Sequence, residues 1–157
     1  MQPKIIILCG IPGAGKSTWT DNHVSLNSWN TRVISRDTAR EKLFGHPYIY
    51  STKNENTVTD FCKNRLTYLV NGKYDIILDN THCREKYIDE QLKNILENYS
   101  DYNVYIKFFD VPLWKCLWRA WRRGLKREDK KVPAKIILQM HKNFKKINKK
   151  KYAGRIL

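Results

Sequence analysis

Near the N-terminus the run Gly10-Ile11-Pro12-Gly13-Ala14-Gly15-Lys16-Ser17-Thr18 satisfies G-x-x-x-x-G-K-[ST]. Small residues at Gly13, Ala14 and Gly15 let the backbone wrap an anion with several N–H groups pointing inward. A helix beginning at the end of the run, through Ser17 and Thr18, directs its positive end at the same anion. Lys16 supplies a cation for β- and γ-phosphates, and the Ser17 hydroxyl supplies an oxygen ligand for Mg²⁺. The chemistry implied is the handling of ATP, or another nucleoside triphosphate, with Mg²⁺. It does not fix the reaction, because such loops also serve motors, switches and ATPases. No N-K-x-D guanine motif is present, which counts against a GTPase.

Three further groups could complete a reaction centre. Asp37, in Ser35-Arg36-Asp37-Thr38-Ala39-Arg40, could accept a proton from an attacking hydroxyl, or simply cap the next helix. Arg40 lies three residues on, so it shares a helical face with Asp37 and could hold it or an acceptor phosphate. Asp79 closes the apolar run Ile76-Ile77-Leu78, with Asn80 and Thr81 behind it, and could bind Mg²⁺ directly or through water. Arg119, Arg122 and Arg123 precede Gly124, and delivered arginines can stabilise a transferring phosphoryl group. A basic segment beside a glycine suits a lid, expected over residues 113–131. Trp114, Trp118 and Trp121 are interleaved there. Their spacing is expected to make a packing stripe rather than a base-stacking platform.

The elements that must position these residues alternate. Buried strands are expected over 4–9, 32–35, 75–78 and 103–109. Helices are expected over 17–24, 38–44, 53–70, 85–99, 113–123 and 134–147, with Pro133 in the first turn of the last and a basic loop over 124–131. Repeated βα units make an α/β fold: about four parallel strands with helices on both faces, in one domain over 1–157. Its small size and basic lid favour a phosphotransferase, so a P-loop kinase fold is expected. Strand carboxyl ends then bring the phosphate loop, Asp37 and Asp79 to one crevice. The last ten residues are polar and are expected to fray.

Thirty Lys+Arg against fifteen Asp+Glu give a net charge of +15. Residues 107–157 hold 17 basic and 3 acidic side chains, so nearly all of the excess lies in the C-terminal third. A polyanionic partner is implied. The run Lys142–Lys151 reads equally as a nucleic-acid tether or a charged helix end. No apolar run approaches bilayer length, so no membrane partner is expected. Cys9, Cys62, Cys83 and Cys116 have no C-x-x-C spacing, and the four histidines form no ligand-spaced pair. Reduced thiols point to a cytoplasmic compartment, and the Lys-, Asn-, Ile- and Tyr-rich composition is compatible with a virus or phage gene.

GIPGAGKSTW, SRDTAR, ILDNTH and then FDVP…RAWRRG…VP, in that order, resemble the 5′-hydroxyl polynucleotide kinases over nearly the whole chain. The resemblance implies transfer of the ATP γ-phosphate to a 5′-hydroxyl end of DNA or RNA. It implies Lys16, Asp37, Arg40 and Arg123 as catalytic residues, with Asp37 the general base. Arg119 joins Arg123 and the phosphate loop on the nucleotide. Arg36, Arg40, Thr81, Val132 and Pro133 are implied on the acceptor, and Ser17 and Asp79 on the metal. The family's motif after the third strand places its acidic residue one position later than Asp79. No D-x-D-G-T phosphatase or K-x-D-G ligase signature is present, so a kinase-only protein or an excised kinase domain is expected. Two other readings stand beside it: a kinase of a small molecule or nucleotide-sugar, and an ATP-gated nucleic-acid binder in which Asp37 is only a cap.

Overall fold

A computed structural model describes residues 2–27, 29–46, 48–126 and 132–157. Four strands, β1 (Lys4–Cys9), β2 (Thr31–Ser35), β3 (Asp75–Asp79) and β4 (Asn103–Phe108), form one sheet in the order β2-β3-β1-β4. Every pairing is parallel, as the βα alternation requires. The helices are α1 (Lys16–Leu26), α2 (Arg36–Phe44), α3 (Thr52–Asn71), α4 (Glu85–Asn98), α5 (Leu113–Lys126) and α6 (Ala134–Lys145).

Alternation along the strands sorts the core into two layers. Ile5, Ile7 and Cys9 of β1, with Ile76 and Leu78 of β3, face a large cluster. That cluster takes in Leu66 and Leu69 of α3, Ile88, Leu92 and Ile95 of α4, and Ile137 and Phe144 of α6. Ile6, Leu8 and Ile77 point the other way, against Trp19 and Val24 of α1. Both faces of the central strands are therefore covered, which explains why β1 reads as an unbroken apolar run. The register pairs Ser35 with Asp79 and Cys9 with Phe108, so the carboxyl ends lie along one edge.

Four expectations are corrected. Residues 149–155 form a 3-10 turn that is packed, not frayed: Tyr152 is 4% exposed, and Ile156 bridges Ile106 of β4. The tail is also tied electrostatically. Lys145 and Lys149 both reach Asp110, Lys151 reaches Glu85 and Asp89, and the Tyr152 hydroxyl donates to Asp89. Sequence pattern missed this because an aromatic anchor among lysines carries no periodicity. Second, α5 runs through Gly124 to Lys126, where a loop was expected. A glycine costs only about 1 kcal/mol inside a helix, too little to end it by itself. The remainder of the expected loop, 127–131, lies outside the described residues. Third, Pro133 is the N-cap of α6 rather than a first-turn residue. Fourth, the α5 tryptophans are exposed and do not pack. Among the described residues no helix is long and apolar enough to cross a membrane.

Candidate active site

The phosphate loop has the backbone its motif demands. Gly13 and Gly15 take positive φ of 83° and 92°, where a side chain would be strained. A Cβ on Gly13 would also collide with the Cys116 carbonyl oxygen of α5. Gly15 caps α1 without any side-chain acceptor, and the first turn has no acidic residue. By contrast, Ser35 Oγ accepts the Thr38 N–H at the start of α2, and Ser51 Oγ accepts the Asn54 N–H at the start of α3. The α1 N-terminus, like those of α4 and α6, has no side-chain cap, which leaves its N–H groups open to an anion.

Lys16 Nζ donates to the carbonyls of Gly10 and Ile11, at 2.8 and 3.1 Å, folding back over the loop. Burial pushes its pKa down, and the nearby Asp79 carboxylate pulls it back up. Burial likewise raises the Asp79 carboxyl, and Lys16 opposes that shift. The two half-buried opposite charges face one cleft, each holding the other in its charged form. The Ser17 hydroxyl and the Asp79 carboxylate both line the cleft and are hard oxygen donors of the kind that could hold Mg²⁺.

The cap question at Asp37 has a geometric answer. Ser35 is the N-cap of α2, and Asp37 stands in the first helical turn with a side chain 88% exposed. Its Oδ1 accepts from Arg40 Nη1 at 2.7 Å, which leaves Oδ2 open to the cleft. Arg40 in turn is clamped by Glu55 of α3. Arg40 Nε donates to Oε1 and Nη2 to Oε2, both at 2.9 Å, and Nη2 also reaches the Tyr50 hydroxyl at 3.2 Å. Arg36 Nη2 donates to Glu55 Oε2 at 2.7 Å and Arg36 Nη1 to Thr59 Oγ1, while Tyr48 donates to Glu55 Oε1. Hydrogen bonds from Arg40, first among several donors, hold the Glu55 carboxyl down to about 2. Sequence reasoning missed Glu55. The i, i+3 pair of Asp37 and Arg40 was visible because it is local, whereas Glu55 arrives from another helix.

One cleft of about 2320 Å³ collects nearly every expected site residue. Gly13, Ala14, Gly15, Lys16, Ser17 and Thr18 line it on the nucleotide side, with Arg119 and Arg123 of α5. Arg36, Asp37, Arg40, Thr81 and Val132 line it on the other side, and Asp79 lies between. Pro133 does not line it. Arg119 Nη1 donates to the Gly13 carbonyl at 3.3 Å, so α5 touches the loop directly. The volume exceeds the roughly 300–1,000 Å³ of a single small-ligand site, which leaves room for two substrates. His82 also borders the cleft, but it is buried, and its Nδ1 meets the Leu8 carbonyl.

A four-stranded parallel sheet, helices on both faces and this phosphate loop define a P-loop kinase fold, for which nucleotide binding is implied. The family model described as AAA domain matches residues 5–147, and the chain belongs to that family. Among solved structures, it is similar to a chain of the Pnkp1/Rnl/Hen1 RNA repair complex, with a TM-score of 0.80 and 24% identity. That match covers 94% of this chain and 46% of the other, so this chain spans about half the length of its structural relative. A second structure of the Pnkp1/Rnl/Hen1 complex matches at 26% identity and TM-score 0.63, over 74% of this chain and 38% of that one. The APS kinase CysC of Mycobacterium tuberculosis matches at 15% identity and TM-score 0.59, over 81% of this chain and 73% of that one. The resemblance to the 5′-hydroxyl polynucleotide kinases thus has a counterpart at the level of the fold.

Proposed function

We propose that this chain is an ATP-dependent polynucleotide kinase that transfers the γ-phosphate to a 5′-hydroxyl end of DNA or RNA. The carrying observation is the carboxylate of Asp37, exposed on the same cleft as the phosphate loop, with Oδ2 unoccupied by Arg40. Asp37 Oδ2 takes the proton of the 5′-hydroxyl as its oxygen bonds to the γ-phosphorus. The bond from that phosphorus to the β-γ bridging oxygen breaks, and ADP leaves. Lys16, Arg119 and Arg123 lower the cost of charge on the transferring group, and Gly13 through Thr18 hold the nucleotide in line. Ser17 and Asp79 would hold Mg²⁺, which supplies further neutralisation of the phosphate oxygens. Arg40, held by Glu55, Tyr50 and Asp37, keeps one Nη1 N–H for the acceptor's next phosphate, with Arg36, Thr81 and Val132 around it. The cationic C-terminal third supports a polyanionic acceptor over a small one.

The test is incubation with γ-labelled ATP, Mg²⁺ and 5′-hydroxyl oligonucleotides of DNA and RNA, with end label expected on the strand. Asp37→Ala is expected to lose about 10²–10⁴-fold in transfer while still binding ATP. Wild-type transfer by that variant would overturn the base assignment. The fold similarity to APS kinase favours a second reading, phosphorylation of a small nucleotide hydroxyl. Label on such an acceptor, with none on any strand, would establish it instead.

A further inference from the structure

Helix α5 has two faces of opposite character. Cys116 and Ala120 are buried, and Arg119 and Arg123 line the cleft beside them. The opposite face carries Trp114, Trp118, Trp121 and Leu125, exposed by 65%, 51%, 61% and 67%. At about 100° per residue these four fall within roughly 60° of one another on the helix surface. Four large apolar side chains left in water on one stripe need an occupant, because a monomer gains nothing by exposing them together. The chemistry beside them restricts what it is. Helix α5 holds Lys115, Arg119, Arg122, Arg123 and Lys126 and no carboxylate. The Arg122 guanidinium lies 5.3 Å from the Trp118 ring centroid, and the Lys115 ammonium 5.4 Å from that of Trp114.

We propose that this outer face of α5 binds single-stranded nucleic acid, stacking bases on Trp114, Trp118 and Trp121 while Lys115 and Arg122 contact the phosphates between them. Flat indole faces interleaved with cations are the means by which proteins hold single strands without reading sequence. The rise along the helix is about 6 Å from Trp114 to Trp118 and about 4.5 Å from Trp118 to Trp121. Both exceed the ~3.4 Å of stacked duplex bases. The surface therefore suits splayed, single-stranded bases and not a duplex. As an extension of the proposed activity, for which it takes the acceptor to be a polynucleotide, it gives the body of that strand a second anchor away from its reacting end. It also leaves the cleft-facing arginines of the same helix free for the nucleotide.

The test uses strands of about 12 nucleotides bearing a 5′-phosphate, which bind but cannot accept, followed by fluorescence anisotropy and tryptophan quenching. The variants are the triple change Trp114→Ala, Trp118→Ala, Trp121→Ala and the matching triple change to Phe. Affinity is expected to fall about 10-fold or more in the alanine variant and to be largely restored by phenylalanine. In parallel, KM for a 5′-hydroxyl strand of the same length should rise while turnover of a dinucleotide acceptor stays unchanged. An affinity within about 2-fold of wild type in the alanine variant, whose fold is checked by circular dichroism, overturns the proposal whatever the labelling assay gives. Aromatic-dependent binding without end label on any strand would retain this surface and remove the kinase reading. If the alanine change instead abolishes self-association or binding to anionic vesicles and leaves strand affinity intact, the face meets a second copy or a lipid surface, and the proposal fails.

Discussion

Glu55 decides how the α2 side of the cleft is held. One carboxylate takes hydrogen bonds from Arg36, Arg40 and Tyr48, with its side chain 21% exposed. Removing its charge leaves two arginines crowded together without their shared anion. Glu55→Gln is expected to cost about 1–3 kcal/mol in denaturant unfolding, and to raise acceptor KM more than nucleotide KM. An unchanged unfolding midpoint would show that the cluster is not a structural clamp. The acid limb gives a second reading. The folded carboxyl is held near 2, below its ordinary 4.5, so its contribution is fully present above about 4.5 and fades as pH falls through 2. Wild type should therefore lose stability over that window in acid titration, and Glu55→Gln should lose less.

At the scale of elements, the site depends on how closely α5 approaches the phosphate loop. Gly13 combines a positive φ with the Cys116 carbonyl where a Cβ would go. Gly13→Ala cannot be absorbed by a flexible neighbour, because the obstacle is helix backbone. It is expected to cost about 1–3 kcal/mol from strain and to weaken nucleotide binding at least about 10-fold, measured by calorimetry. Nucleotide affinity within about 2-fold of wild type would mean that α5 can shift away from the loop. Gly15→Ala makes a useful contrast, since it shares the positive φ but has only the Arg119 side chain nearby. The two substitutions separate backbone strain from collision with α5.

Across the whole molecule, the cationic third is divided between structure and surface. Lys145, Lys149 and Lys151 serve the tail's ion pairs, and Tyr152 anchors it beside Phe108 and Phe144. Tyr152→Ala is expected to cost about 2–4 kcal/mol in denaturant unfolding, a loss that a frayed tail would not show. The remaining charge is available to a polyanion. Strand affinity is expected to fall linearly in log–log form with added salt, with a slope near the number of phosphates contacted. A flat salt response would remove the cationic third from strand binding.

The succession of strands and helices, the parallel α/β class and the phosphate loop were all legible in the amino-acid order. These depend on local periodicity and on residue types at fixed spacing. Asp37, Asp79 and Thr81 were legible as cleft residues because, in a parallel sheet, the residues just past a strand's end lie at its carboxyl edge. Partners drawn from distant segments were not legible, because packing brings them together. Glu55 meets Arg36 and Arg40 because α3 packs beside α2. The lysine-rich tail is ordered because Tyr152 finds a place between β4 and α4. The α5 tryptophans face water because Cys116 and Ala120, small residues that let the helix approach the phosphate loop closely, took the inner face. Spacing put the three rings on one side of a helix. Which side the core would claim depended on what the helix had to pack against.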